Sequence, residues 1–269
     1  MKTKLIIKGL SYALLSMGFA SAAYAVPVDL NTWTAESYPA VNNFSSGTWT
    51  VSGSGSSVNQ SVNGQPTFFY SDFNTFGSSF TGSIKVSGSD DDFIGFALGF
   101  NPGDTSNSSA DYLLIDWKKG NQDFNFGAPS TTPGTTASAG LAVSRVTGIP
   151  TADEFWGHTD FVTHTGGGVS ELQRAAMLGA TGWTTGTTYD FTFDFGPNNL
   201  EVFVDGALEL DIMGSFSDGR FGFYNFSQAD VTYAGFKKED GSFSVPEPSV
   251  LFLLTAGLVG ISYSRRKKV

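Results

Sequence analysis

Three consecutive aspartates, Asp90, Asp91 and Asp92, are the densest group of potential metal ligands in the sequence. Adjacent carboxylates repel one another unless water or a cation screens them. Because successive residues of an extended chain alternate sides, two of the three at most easily reach one ion. A hard cation would complete a shell of about six to eight oxygens with backbone carbonyls, water or a nearby acid such as Asp104 or Asp111. The residues alone leave two interpretations open, a solvated acidic turn and a cation site.

Carboxylate pairs could also support glycoside hydrolysis. A retaining mechanism needs two carboxyl groups about 5 to 5.5 Å apart, which in a strand means acids two or four positions apart on one face. The sequence offers Asp190 with Asp194, and Glu209 with Asp211. Both pairs are more simply explained as the solvent-facing side of amphipathic strands. We therefore predict no catalytic residues and keep a polysaccharide-active glycoside hydrolase as the alternative.

Imidazole, thiol and indole groups give few further candidates. The chain has no cysteine, which excludes disulfides, thiol nucleophiles and cysteine-ligated metals, and its only histidines are His158 and His164. His158 stands among acids and is interpreted as a loop histidine. Trp156 and Trp183 adjoin Gly or Thr and are candidates to stack on sugar rings, with packing beneath a loop as the alternative. Trp117 ends an apolar strand and is predicted to lie in the core.

The beginning of the chain has the order of a secretory signal. Three lysines fall within residues 1–8, an apolar stretch covers residues 9–20, and residues 23–25 have the small-x-small pattern that signal peptidase cleaves. Residues 1–25 are therefore predicted to be a signal peptide, and the protein is predicted to be secreted.

The other end carries a motif, an apolar stretch and a basic terminus. The motif consists of Val245, Pro246, Glu247 and Pro248. The 15 apolar residues 249–263 fall short of the roughly 20 that a membrane-spanning helix needs, so they would anchor the chain in the inner membrane only transiently. The basic residues 265–268 would stay in the cytoplasm.

This tripartite tail, residues 245–269, resembles the PEP-CTERM sorting signal of Gram-negative bacteria. The resemblance implies that the protease exosortase recognises the motif and removes the tail. It also implies delivery to the cell surface or to the exopolysaccharide matrix of a biofilm. A plain membrane anchor after a proline-rich linker is the alternative.

The segment between the two signals is strongly acidic. Residues 26–245 contain eight basic and 24 acidic side chains, a formal charge of −16, against −10 for the whole chain. Such a field repels nucleic acid phosphates, so nucleic acid is excluded as a partner, and it attracts divalent cations outside the cell.

Residues 26–244 are predicted to form one all-β domain, because alternation of apolar and polar residues dominates them. Strands are predicted at residues 83–86, 93–100, 112–117, 189–195, 200–204, 208–212, 220–226 and 231–236. Short strands at this spacing favour a two-sheet antiparallel jelly-roll β-sandwich, flanked by the signal peptide and an apolar sorting helix. Residues 169–178 have helical spacing and predict a short helix, and residues 128–140 predict a mobile loop.

Several segments resemble the thrombospondin C-terminal domain. They are the Phe-Asn and Phe-Thr-Gly elements of residues 73–82, the acidic and apolar run 90–100, the strand 112–118, and the Gly-Arg to Phe-Ser-Gln segment 219–228. The resemblance spans roughly residues 58–236 and implies a concanavalin-like fold, related to the L-type lectins. This chain has no cysteines and none of the preceding calcium-binding repeats, so the animal partners are not carried over.

The resemblance also implies bound Ca²⁺ and favours the cation interpretation of Asp90, Asp91 and Asp92. The expected function is that of a secreted, calcium-binding, non-enzymatic adhesive module. Its expected partners, besides signal peptidase and exosortase, are extracellular polysaccharide or surface proteins.

Overall fold

The computed structural model describes residues 25–161 and 167–240. Three predicted features lie outside these residues. They are nearly all of the signal peptide, the whole sorting segment 245–269, and His164. Within the described ranges, no helix is long and apolar enough to cross a membrane.

The described chain is almost entirely β-structure. Its strands are β1 (Val26–Pro27), β2 (Thr34–Ser37), β3 (Trp49–Val51), β4 (Ser57–Gln60), β5 (Thr67–Asn74), β6 (Ser78–Val86), β7 (Phe93–Phe100), β8 (Asp111–Lys118), β9 (Gln122–Phe124), β10 (Thr135–Ala137), β11 (Gly140–Thr147), β12 (Val169–Arg174), β13 (Thr188–Phe195), β14 (Asn199–Val204), β15 (Ala207–Met213), β16 (Arg220–Phe226) and β17 (Val231–Asp240). One α-helix, α1 (Ala152–Gly157), and two 3₁₀ turns, Leu30–Thr32 and Asp104–Ser106, interrupt them.

Two large antiparallel sheets form a sandwich. The back sheet has the strand order β15-β14-β13-β6-β17-β4-β3, with β1 also paired to β17, and the front sheet has the order β12-β11-β8-β7-β16-β5-β2. A separate hairpin joins β9 and β10. The predicted all-β antiparallel sandwich is confirmed, and each predicted strand lies within an observed one.

Aromatic side chains fill the space between the sheets. Strand alternation turns Phe191, Phe193 and Phe195 inward from the back sheet, where all three are buried. From the front sheet, the Phe96 ring lies with its centroid 4.7 Å from that of Phe193, and Phe221 packs 5.4 Å from the same ring. Each fully buried Phe contributes about 1.5 to 3 kcal/mol relative to exposure, so this layer is the main source of stability.

The outer face of the front sheet is also buried. Tyr224 and Phe226 on this face pack against Phe155 and Trp156 of α1. Helix α1 and the β9–β10 hairpin together form what we term the covering layer. A second apolar core therefore lies between the covering layer and the front sheet.

The predicted helix at residues 169–178 is wrong. Val169–Arg174 is strand β12, which pairs along the free side of β11, and a hydrogen-bonded turn follows it. The helical spacing was coincidental, because Leu172, which should have faced the core, is 46% exposed. The predicted loop 128–140 is also partly ordered as strand β10, since this segment pairs with β9.

Candidate functional site

Two adjoining cavities lie beside the β9–β10 hairpin and share Thr136 in their walls. The larger has a volume of about 430 Å³ and is lined by Asp123, Phe124, Asn125, Pro133, Gly134, Thr135 and Thr136. The smaller has a volume of about 250 Å³ and is lined by Thr136, Ser138, Trp156, Gly157, His158, Glu171 and Arg174. Together they form the candidate site, which we term the hairpin groove.

Helix α1 positions one wall of the groove. Thr151 caps its first turn, and the side chain of Glu154 accepts a hydrogen bond in return from the Thr151 backbone N–H, so the helix start is fixed on both sides. The helix ends at Gly157, and His158, which caps it, adopts the left-handed conformation (φ 46°). This turn directs the imidazole into the covered face of the front sheet.

His158 bridges two carboxylates. Its Nε2 lies 3.0 Å from Asp116 Oδ2 on β8, and its Nδ1 lies 3.2 Å from Glu171 Oε2 on β12. Burial lowers the pKa of His158, but the two carboxylates outweigh burial and raise its pKa to about 9. At neutral pH the ring is therefore an imidazolium that donates to both acids. Sequence reasoning placed His158 on a loop and missed both partners.

The carboxylates at the smaller cavity are engaged with neighbouring cations. Glu171 accepts two hydrogen bonds from the Arg174 guanidinium, at 3.1 and 2.8 Å, in addition to the bond from His158. The hydrogen bond from His158, together with Arg174, lowers the pKa of Glu171, so this carboxyl is not available as a general acid. Asp116 is fully buried beneath the imidazole. The polar wall of the smaller cavity is thus charge-compensated.

The two carboxylate pairs considered in the sequence lie elsewhere. Asp190 and Asp194 alternate with buried phenylalanines on β13, which places them on the solvent face of the back sheet. The prediction that Glu209 is solvent-facing is wrong. Glu209 is 3% exposed, and its Oε2 accepts the backbone N–H groups of Met177 and Leu178. The Glu209 carboxylate therefore holds the turn that follows β12.

Neither predicted sugar-stacking tryptophan presents an exposed ring. Trp156 and Trp183 are each 1% exposed, and their indole N–H groups donate to Gln122 O and Asp92 O. Their exposure was wrongly inferred from the Gly and Thr residues beside them. Trp156 lies within α1 and packs in the second apolar core, and Trp183 packs in the core between the sheets. Trp117 is buried as predicted. Instead, the half-buried Phe124 is the aromatic residue in the wall of the larger cavity.

The Asp90–Asp92 cluster lies at the end of the front sheet, where one carboxylate oxygen from each residue falls within 4.8 Å of the others. Lys118, at the end of β8, is fully buried, and its Nζ lies 2.6 Å from Asp92 Oδ1 and 3.3 Å from Asp91 Oδ1. Asp90 instead accepts a hydrogen bond from Asn63 Nδ2. Burial raises the pKa of Asp92 to about 6, opposed by Lys118, so its carboxylate is ionised at neutral pH.

This donor set does not fit a calcium ion well. The ammonium of Lys118 already lies among the oxygens that would ligate the ion, and two cations cannot share them without strong repulsion. Sequence reasoning missed this partner, because Lys118 lies 26 residues from Asp92. Calcium at this cluster stays a prediction.

The chain belongs to the thrombospondin C-terminal region family, which matches residues 45–239. The PEP-CTERM protein-sorting motif matches residues 244–267. Both resemblances noted in the sequence are therefore confirmed. No curated protein sequence matches the chain.

Several solved structures are similar to this chain. Carbohydrate-binding module CBM66 from Bacillus subtilis has 15% identity and a TM-score of 0.47, covering 78% of this chain and 96% of that one. The exoplasmic/lumenal domain of VIP36, bound to Ca²⁺ and Man3GlcNAc, has 12% identity and a TM-score of 0.47, covering 82% and 89%. LamAcat from Zobellia galactanivorans has 12% identity and a TM-score of 0.42, covering 81% and 94%. At these values the likeness carries no argument about ligand or activity.

Proposed function

We propose that the protein is an exported, non-catalytic domain that binds polysaccharide in the hairpin groove. The observation that carries the proposal is the composition of the groove wall. The wall combines the hydroxyl groups of Thr136 and Ser138, the carboxylate of Asp123 and the amide of Asn125 with the half-buried ring of Phe124. Such a wall can hydrogen-bond to sugar hydroxyls and pack against a sugar ring.

Charge narrows the class of polysaccharide. Residues 26–245 carry a formal charge of −16. The positive charges of His158 and Arg174 in the groove are neutralised by Asp116 and Glu171. A polyanionic chain would be repelled over the whole surface without compensation in the groove. The proposed ligand is therefore a neutral polysaccharide.

Binding is favoured over hydrolysis because the carboxylates of the groove are engaged in other contacts, including Asp123, which accepts a hydrogen bond from the Thr136 hydroxyl. Glu171 is held ionised by His158 and Arg174, and Asp116 lies beneath the imidazole. An enzyme of this class would need one carboxyl with a raised pKa beside a second free carboxylate.

Co-sedimentation tests the proposal. The polymers are neutral glucans, alginate as the polyanion, and the exopolysaccharide of the producing strain. Wild-type protein is expected to sediment with a neutral polymer. Thr136→Trp places a bulky side chain at the wall that both cavities share, and it is expected to lose that binding. Thr192→Trp, a matched change on the solvent face of β13, is the control and should bind normally. New reducing ends during incubation would favour the hydrolase alternative. Equal binding by both variants would place the ligand elsewhere.

The sorting motif supports a second part of the proposal, which concerns location. We propose that exosortase cleaves near Val245-Pro246-Glu247-Pro248 and that the domain is released to the cell surface or biofilm matrix, where it acts in adhesion. The mass of protein recovered from culture tests this directly. Loss of the last twenty-odd residues is expected, whereas an intact tail would contradict processing.

A further inference from the structure

Lys118 is an unusual residue for its position. It ends strand β8 on the covered face of the front sheet and has no solvent exposure. A buried ammonium is strongly unfavourable unless hydrogen-bonded and paired with opposite charge. The surroundings of Nζ therefore determine whether this part of the fold is stable.

Four oxygens surround the ammonium. They are Asp92 Oδ1 at 2.6 Å, Asp91 O at 2.9 Å, Gln122 Oε1 at 3.1 Å and Asp91 Oδ1 at 3.3 Å. Two carboxylates, one backbone carbonyl and one side-chain amide are the ligand types that hard cations such as Ca²⁺ take in proteins. We term these four oxygens the oxygen cage.

Two aromatic rings also contact the ammonium. Nζ lies 4.7 Å from the Trp156 ring centroid and 5.8 Å from that of Phe93, and both rings are buried. Cation–π attraction at a desolvated site adds to the ion pair.

We infer that the Lys118 ammonium is the resident cation of the oxygen cage and holds the Asp90–Asp92 turn to β8 in place of a divalent metal. The side chain is tethered covalently, so it is always present at its site and needs no supply of metal from outside. The domain therefore keeps its fold in calcium-poor surroundings. This inference stands apart from the proposed function, because it concerns how the acidic turn is stabilised.

The wild-type protein provides the first test. Its melting temperature should be the same, within about 1 °C, in chelator and in millimolar calcium, because no ion binds selectively to the folded cage. Equilibrium dialysis followed by metal analysis should find no tightly bound calcium. A rise of several degrees with calcium, or one tightly held ion per chain, would overturn the inference.

Lys118→Ala provides the second test, because it leaves the cage oxygens with space among them. Without metal, the unpaired buried carboxylate should lower the melting temperature by about 10 °C. Millimolar calcium should then restore at least half of that loss, so the variant becomes calcium-dependent. A folded variant that gains no response to calcium would contradict the cation-site description of the cage. If the variant does not fold, the calcium response of the wild-type protein still tests the inference.

Lys119→Ala is the matched control. Lys119 is the next residue, but its Nζ bonds the Thr185 hydroxyl at the surface and takes no part in the cage. This variant should melt within about 2 °C of wild type and show no calcium response. A calcium response equal to that of Lys118→Ala would show that the effect arises from general surface charge, and the inference would fall.

Discussion

Raising the pH through the alkaline range is expected to destabilise the protein through His158. The pKa of this histidine rises from its ordinary 6.5 to about 9 in the folded state, because Asp116 and Glu171 outweigh the burial that lowers it. The folded state therefore holds a proton that the unfolded chain has lost. Stability from this source is complete below about pH 6.5 and is lost as the pH rises through about 9.

The size of the effect follows from the pKa difference. At about 1.4 kcal/mol per pH unit, the shift corresponds to about 3 kcal/mol of unfolding free energy. Tyrosines do not interfere below about pH 10, because burial raises the pKa of Tyr38 and of Tyr233 further above their ordinary value. Asp92, whose pKa is raised to about 6, has finished titrating by about pH 7, so a window from about pH 7 to about 9.5 reports mainly on the histidine.

Urea unfolding across this window measures the effect. Wild type should lose up to about 3 kcal/mol, while His158→Asn, which keeps a residue tolerant of the left-handed backbone, should start less stable and show little further loss. His164→Asn, a change at the chain's other histidine, should keep the wild-type slope. A flat wild-type profile, or the same slope in His158→Asn, would refute the ion-pair account of this site.

Further substitutions test the fold that supports the groove. Glu209→Gln should cost about 1 to 2 kcal/mol in urea unfolding, because it weakens the bonds that the buried Glu209 carboxylate accepts from two backbone N–H groups, whereas the exposed Asp211→Asn should change stability little. Equal losses in both would contradict the structural role given to Glu209. Gly95→Ala should cost about 3 kcal/mol or more, since its Cβ would lie 2.0 Å from Ile115 O, while Gly53→Ala, with open space around it, should be tolerated. A normally stable Gly95→Ala protein would show that the strands approach less closely than described.

The positions of many strands were predictable from alternation. In β13 the phenylalanines Phe191, Phe193 and Phe195 alternate with polar residues and face the core, and the turn before β14 has the residues that tight turns favour. Patterns of this kind depend only on neighbours in sequence, so they survive in any all-β fold. The same reasoning did not identify strand β12. This strand lies at the edge of the sheet, where Leu172 is exposed and the alternation of buried and exposed residues is lost.

The site was much less predictable, because its contacts join distant parts of the chain. His158 meets Asp116 across 42 residues, and Lys118 meets Asp92 across 26. Nothing in the spacing of these residues brings them together before the sheets form. The one available signal was Lys118 itself, a charged residue that ends a strand of otherwise mostly apolar side chains.

The tryptophans show why local composition misled. Gly157 beside Trp156 indicates a helix end, and the residues around Trp183 form a turn, so both were placed on exposed loops. In the fold Trp156 packs from α1 into the second apolar core, and Trp183 packs into the core between the sheets. Burial of these rings is a tertiary property that period and composition do not encode.

Hydrogen exchange of backbone amides with and without a bound neutral polysaccharide tests the central claim most directly. The account predicts added protection in β9, in β10 and around His158, because these segments line the hairpin groove. Strand β13 on the opposite face should exchange at an unchanged rate. Protection confined to the back sheet, or absent from the hairpin while the polysaccharide is bound, would contradict the groove as the binding site.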